Sequence, residues 1–325
     1  MAFMFKLGGQ GGNMFLEFVL LIIGLILVIK GADYFVDAAV AVARRTGISE
    51  VVIGATLVSL ATTLPELAVS SYSAYLNQTN LAVGNAVGSV IFNTGVILGL
   101  SVLLSPLVIK DKKFSLKAIF MLIAGIIFSI AGIDGKIAFY EGLILVTFLV
   151  VYMVYLFRSP SDDDEHNSQT DDTPIWVLAV KFIGGAMAVV FGSRLMVNSA
   201  ISIAEYFGVS PMIIGLTIVA AGTSLPELAT SLTSIKKGHQ NVSVGNIVGA
   251  NFLNMTSVLG ISSLINPLPI EKVSLTIDLP VMLVFMTLIW LFGRKGKMER
   301  WKGIVFLLIY AAYFTNIVIR TLQAA

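Results

Sequence analysis

The chain contains no cysteine and only two histidines, His166 and His239, both in polar segments. Without thiols there is no disulfide framework and no thiolate metal site. With no histidine in an apolar stretch, neither a histidine zinc site nor a serine–histidine triad can be assembled inside a membrane. Charge is scarce too: Asp, Glu, Lys and Arg make up 12% of the 325 residues, where soluble domains carry roughly 25%. No Gly-x-x-x-x-Gly-Lys phosphate loop occurs, which argues against ATP-driven work by this chain. The composition points to no enzyme, no cofactor and no nucleic-acid partner.

What the chain has instead is apolar length. Hydrophobic residues reach 57% and the mean hydropathy is +0.91. A spanning helix needs about 20 mostly apolar residues, and ten runs qualify: 14–43, 51–76, 81–104, 115–133, 138–157, 175–205, 211–235, 242–265, 274–292 and 301–320. The first and sixth are overlong, as tilt or an interfacial extension would require. The run from Met14 exceeds signal-peptide length and shows no small-residue cleavage pattern, so it reads as a first span. Alternate loops divide the Lys and Arg residues unevenly. Fourteen, from Arg44 and Arg45 to Arg300 and Lys302, fall on one side; Lys6, Lys136, Lys272 and Arg320 fall on the other. That bias predicts N- and C-termini outside.

The chain also repeats itself. Adding 161 to each position aligns Val52–Leu107 with Ile213–Leu268 without a gap, with about 25 of 56 positions identical. Each copy holds five runs, an odd number, so the copies must lie in opposite orientations, a plan that places a substrate site at the repeat interface near the bilayer midplane. The expected fold is therefore an all-α integral membrane protein with ten transmembrane helices as two inverted five-helix repeats. Its parts are a first repeat at 1–157, an acidic cytoplasmic linker at 158–174 and a second, inverted repeat at 175–325. The linker lacks the Asp-x-Asp-x-Asp-Gly spacing of an EF-hand loop, and its composition predicts a solvated, disordered connection.

Two stretches carry the chemistry: Leu57-Val-Ser-Leu-Ala-Thr-Thr-Leu-Pro-Glu-Leu67 and Ile218-Val-Ala-Ala-Gly-Thr-Ser-Leu-Pro-Glu-Leu228. Each puts a glutamate, Glu66 or Glu227, near the middle of a span, where a charge costs about 2.5–3.5 kcal/mol on insertion scales and marks function by default. Asp33, Asp37, Asp278, Glu17 and Glu141 lie toward span ends, where snorkelling or capping explains them. Lys30, Lys181 and Arg194 are in-span cations that could pair with the glutamates. Pro65 cannot donate to the carbonyl of Ala61, nor Pro226 to that of Gly222. The turns Ser59–Thr63 and Ala220–Ser224 are thus expected to loosen and free carbonyl oxygens, unless the prolines only kink the helices. With hydroxyls of Thr62, Thr63, Thr223 and Ser224, these groups form an all-oxygen cage suited to hard cations such as Ca²⁺ and Na⁺. Ser89 and Asn93 share a helical face (i, i+4) and can point at the pair; Asn254 repeats Asn93. The asparagines could equally only hydrogen-bond between helices. Gly84/Gly88 and Gly245/Gly249 read as small-xxx-small packing faces.

Thr62-Thr-Leu-Pro-Glu66 and Gly222-Thr-Ser-Leu-Pro-Glu227, each followed by Gly-Asn-x-x-Gly, resemble the paired alpha repeats of the cation/calcium exchanger superfamily. The chain as a whole is similar to its prokaryotic sodium/calcium exchangers. The resemblance implies that Glu66 and Glu227 bind Ca²⁺ with backbone oxygens of Thr62 and Thr223. It implies that Na⁺ uses the same carboxylates with Thr63, Ser224, Ser89 and the backbones of Ser59 and Ala220, and that Asn93 and Asn254 complete the lining. It further implies alternating access in which the first and sixth spans slide over the other eight. The chain departs from the pattern at Ala61, which replaces a glycine, and at Thr63, which replaces a serine. Ala250 removes the hydroxyl opposite Ser89, and Asn254 stands where several sodium-coupled members carry Asp, so one sodium position is expected to be weaker. The function expected is antiport of Ca²⁺ against Na⁺ in a prokaryotic cell (inner) membrane, with the bilayer as surroundings and no obligatory protein partner. Ca²⁺/H⁺ exchange, with the same glutamates carrying protons, is the alternative. A channel or a Ca²⁺-binding receptor are more distant readings.

Overall fold

A computed structural model describes residues 14–46, 48–109, 114–158, 173–208 and 220–324. The first span is one long helix, α1 (Met14–Thr46). The second is compound: α2 (Glu50–Ile53), a π-helical turn at Gly54–Val58, and α3 (Ser59–Tyr75). Its start is fixed by Ser49, whose side chain accepts the Val52 N–H at 3.3 Å, an N-cap bond that satisfies an otherwise orphan donor. The third runs through α4 (Thr79–Phe92), a π-turn at Asn93–Leu98 and α5 (Gly99–Leu104). Then come α6 (Phe114–Ala131), α7 (Phe139–Arg158) and α8 (Ile175–Tyr206). The remainder comprises α9 (Ala220–Gly222), α10 (Leu225–Lys236), α11 (Gln240–Leu253), a π-turn at Asn254–Val258 and α12 (Leu259–Ile265). A π-turn at Ser274–Asp278 leads into α13 (Leu279–Gly293), and α14 (Arg300–Ala324) ends the chain.

Nine helical segments among the described residues are long and apolar enough to cross a membrane. They coincide with nine of the ten expected runs to within a few residues. Of the tenth, expected at 211–235, only the part carried by α9 and α10 is described; residues 209–219 lie outside the described residues, as do 159–172 of the acidic linker. Apolar side chains such as Phe15, Ile26, Tyr140 and Val180 stand exposed on the outer surface, as a lipid-facing surface requires. The interior, with Phe128, Tyr152, Phe252, Phe285 and Phe306 fully buried, joins residues of both halves in one core.

The 161-residue offset recurs in the fold. Asn77 (φ 60°) and Gly238 (φ 83°) turn the chain between α3 and α4 and between α10 and α11; Gly135 (φ 90°) and Gly296 (φ 76°) form a second such pair. These are left-handed positions that glycine and asparagine tolerate. Four two-residue strands form two antiparallel ladders: β1 (Leu107–Val108) with β4 (Lys297–Met298), and β2 (Lys136–Ile137) with β3 (Leu268–Pro269). The offset carries β1 onto β3 and β2 onto β4, so each ladder joins one half to the other. α1 and α8 meet along a glycine seam that follows the same exchange. A Cβ on Gly24 would lie 2.8 Å from the Gly192 carbonyl oxygen, and one on Gly31 would lie 2.9 Å from that of Gly185.

Candidate functional site

Glu66 sits on α3 and Glu227 on the first turn of α10. Both are fully buried, and the Glu227 charge reaches Glu66. Contacts around them cross between the halves. Thr63 Oγ1 donates to Glu227 Oε1 at 3.3 Å, Thr62 also borders Glu227, and Ser224, the offset partner of Thr63, borders Glu66. Thr62 Oγ1 lies 3.2 Å from Asn246 Oδ1 and Thr223 Oγ1 lies 3.4 Å from Asn85 Oδ1. Those two asparagines donate in turn to Ser231 Oγ at 3.3 Å and Ser70 Oγ at 3.0 Å. The Thr63–Glu227 and Ser224–Glu66 pairs map onto each other by the offset, and so do the two threonine–asparagine–serine chains.

Several buried side-chain oxygens are left over. Both oxygens of Glu66, Oε2 of Glu227, Oδ1 of Asn93, Oδ1 of Asn254 and Oγ of Ser224 are buried without a hydrogen-bond partner among the described residues. Buried polar atoms are nearly always satisfied, and three buried carboxylate oxygens without a donor are what a bound cation would complete. Lys30, Lys181 and Arg194 do not meet it: all three are exposed on α1 and α8, and no ion pair to either glutamate exists among the described residues. Nor do three or more His, Cys, Asp or Glu side chains converge among them. Glu66 and Glu227 therefore have no protein cation to balance them among the described residues.

The elements explain how these atoms come together. Gly245 and Gly249 bring α11 against the second span. A Cβ on Gly54 would lie 2.5 Å from the Val242 carbonyl oxygen, and one on Gly249 2.5 Å from Ser59 Oγ. That packing role matches the expectation for Gly245 and Gly249. For Gly84 and Gly88 no described atom lies within 4 Å of the Cβ position, so the expected close face is not seen there. Asn93 and Asn254 each open a π-helical turn; such single-turn bulges often mark functional sites.

The prolines behave differently in the two copies. In the second, α9 ends at Gly222, Thr223 and Ser224 form a turn, and Pro226 sits in the first turn of α10, where its missing N–H is no loss. In the first, the expected loosening at Ser59–Thr63 does not occur: α3 is helical from Ser59 through Pro65 to Tyr75. The irregular turn lies upstream, at Gly54–Val58. Hydroxyls bond back to the helix along this stretch, Thr56 Oγ1 to Val52 O at 2.7 Å and Thr62 Oγ1 to Ser59 O at 3.2 Å, a route by which membrane helices keep their geometry around proline.

Of the remaining expected residues, Ser59 and Ser89 are buried near the cage elements, Thr223 is half-buried, and Ala220 is the first residue of α9. The acids near span ends have partners of their own. Lys237 Nζ lies 2.8 Å from Asp37 Oδ1 and 3.4 Å from Asp33 Oδ1, and Asp278 accepts from Tyr313 and Ser274 at 3.1 and 2.9 Å. Four residues escaped the sequence reading as parts of the site's support: Asn85, Asn246, Asn251 and Thr94. The first two are the asparagines of Gly-Asn-x-x-Gly and were visible as a repeated motif. Asn251 and Thr94 have no repeat, since their offset partners are Val90 and Met255.

Known proteins share both the sequence pattern and the fold. The family profile described as "Sodium/calcium exchanger protein" matches residues 16–158 and 177–318. An uncharacterized membrane protein of Methanocaldococcus jannaschii is 35% identical over 89% of this chain and 94% of its own length. The sodium/calcium exchanger MaX1 of Methanosarcina acetivorans is 29% identical over 91% and 97%. Among solved structures, that of the sodium-calcium exchanger NCX_Mj superposes with a TM-score of 0.85 at 32% identity, covering 94% of this chain and all of that one.

Proposed function

The chain belongs to the sodium/calcium exchanger family, a family of membrane transporters and not of enzymes, and from that premise we propose that it is a secondary-active antiporter exchanging Ca²⁺ for Na⁺ across the cell (inner) membrane. The observation that carries this reading is the pair of fully buried glutamates, three of whose four carboxylate oxygens have no donor among the described residues. Ca²⁺ takes six to eight oxygen ligands. Glu66 and Glu227 with backbone oxygens of Thr62 and Thr223 are the proposed Ca²⁺ set. Na⁺ is proposed to use the same carboxylates with Thr63, Ser224, Ser89 and the backbones of Ser59 and Ala220, with Asn93 and Asn254 completing the lining.

Exchange follows from the charge. One Ca²⁺ or a set of Na⁺ ions neutralises the two carboxylates, so occupancy is competitive. The empty cage carries two uncompensated negative charges in a low-dielectric interior, which is costly to carry through a closed state. The loaded site reorients and the empty one does not. The contacts that map onto each other by the 161-residue offset support two inverted halves, residues 1–157 and 175–325, while the uneven Lys and Arg content of the loops supports a cytoplasmic 158–174 linker and termini outside. Access to the midplane site is proposed to alternate as the first and sixth spans, α1 and α8, slide over the other eight.

The test is ⁴⁵Ca²⁺ uptake into proteoliposomes loaded with Na⁺, against K⁺-loaded controls, with and without a pH gradient. Uptake that needs internal Na⁺ supports the proposal. Uptake indifferent to Na⁺ and driven by the proton gradient overturns it.

A further inference from the structure

We propose that Asn251, backed by Thr94, is a positioning residue that holds the Asn93 amide with its oxygen toward the transported cation. This rests on the reading of Asn93 as a ligand of the cage. Asn251 lies on α11, fully buried, three residues before Asn254. Its Oδ1 accepts from Asn93 Nδ2 at 3.3 Å, and its Nδ2 donates to Thr94 Oγ1 at 2.9 Å. The Asn93 amide is thereby held by its nitrogen end, while Oδ1 is buried with no donor.

Polarity matters here because an amide presents opposite partial charges at its two ends. An oxygen facing a cation attracts it, and an NH₂ in the same place repels it. Turning Asn93 over would set its oxygen against the Asn251 oxygen, two acceptors face to face. Relief requires Asn251 to turn too and the Thr94 hydroxyl to change from acceptor to donor. Three groups must move together, so the orientation is held as a unit.

The second half solves the same problem differently. Asn254 Nδ2 donates to the Ala250 carbonyl, four residues back on its own helix, at 3.1 Å, which leaves its Oδ1 free without help from another helix. Asn93 makes no such bond to its own helix among the described contacts. Its anchor comes from the opposite half, at a position whose offset partner is Val90, and Thr94 corresponds to Met255. The device therefore exists once, and Asn93 is ligand-ready only while α11 lies against the start of the Asn93–Leu98 turn.

A double-mutant cycle in Na⁺-driven ⁴⁵Ca²⁺ uptake tests this, with KM for Ca²⁺ and maximal rate read separately and thermal unfolding of the purified protein followed alongside. Asn251→Val introduces the residue already used at the offset position. It is expected to raise the Ca²⁺ KM about tenfold, the loss of one oriented hydrogen-bonding ligand, and Thr94→Val to raise it less. In an Asn93→Ala background, Asn251→Val should add nothing, since the group it orients is gone. Losses that multiply in the double variant, or an unchanged KM in Asn251→Val, would overturn the assignment. Na⁺-dependent uptake by the unaltered protein, measured first, keeps that failure separate from failure of the antiport reading.

Discussion

Replacing Glu66 by Gln separates the two transported ions, and its magnitude can be worked from the cage. The substitution keeps the shape and one oxygen but takes the site from two negative charges to one. A carboxylate about 2.4 Å from Ca²⁺ interacts at an effective dielectric of 20 with about 14 kcal/mol, and with Na⁺ about 7. Relaxation, water entry and the amide dipole recover much of this. If a third persists, Ca²⁺ binding weakens by roughly 4–5 kcal/mol, over a thousandfold, and Na⁺ binding by about 2 kcal/mol, some fiftyfold. Neutrality sharpens the contrast, because one Na⁺ now balances the single remaining carboxylate while Ca²⁺ leaves an excess positive charge. Glu66→Gln is therefore expected to abolish ⁴⁵Ca²⁺ uptake at millimolar Ca²⁺ yet retain ²²Na⁺/Na⁺ self-exchange at raised Na⁺. Both fluxes are measured in the same vesicle preparation. A Ca²⁺ KM within tenfold of the unaltered protein would refute the reasoning, because no charge would then have been removed from the ion's surroundings.

Other substitutions probe single features of the cage. Thr63→Val removes the hydroxyl that donates to Glu227 Oε1 and is expected to cost about 1–2 kcal/mol in ion binding, a rise of roughly tenfold in Ca²⁺ KM by uptake assay. Ala250→Ser puts a hydroxyl at the position corresponding to Ser89; the Na⁺ concentration for half-maximal exchange should fall several-fold with little change for Ca²⁺. Gly54→Val drives a side chain into the Val242 carbonyl, 2.5 Å from the Cβ position. Overpacking costs about 1–3 kcal/mol or more, so thermal unfolding of the purified protein should move down by several degrees.

Much of this architecture could be read from the sequence because the governing rule is local. A span is a length of apolar residues, and the expected 81–104 and 274–292 became 79–104 and 274–293. Glu66 and Glu227 stood out because a mid-span carboxylate has no bland explanation. What escaped depends on distant partners or on subtle backbone choices. The π-turns at Gly54–Val58 and Asn93–Leu98 have no composition of their own, so the irregular turn of the second span was expected one turn too late, beside Pro65. Asp33 and Asp37 looked like span-end acids because Lys237, some 200 residues away, gives no local sign of reaching them. Asn251 was hidden by the very repeat that exposed the glutamates, since attention falls on positions that recur and Val90 breaks the match.

The two short ladders bear on how such a chain came to be assembled. Each consists of two residues from either half, Leu107 opposite Met298 and Ile137 opposite Leu268, so among the described residues the strands of each half pair only with those of the other. A half-length ancestor of this kind would have found those partners only in a second copy of itself, inserted the other way up. Fusion of two copies would then have changed ownership of the strands without changing their pairing. The same logic applies at the bench: the two halves, made as separate polypeptides in one cell, should recover transport together, and neither should recover it alone.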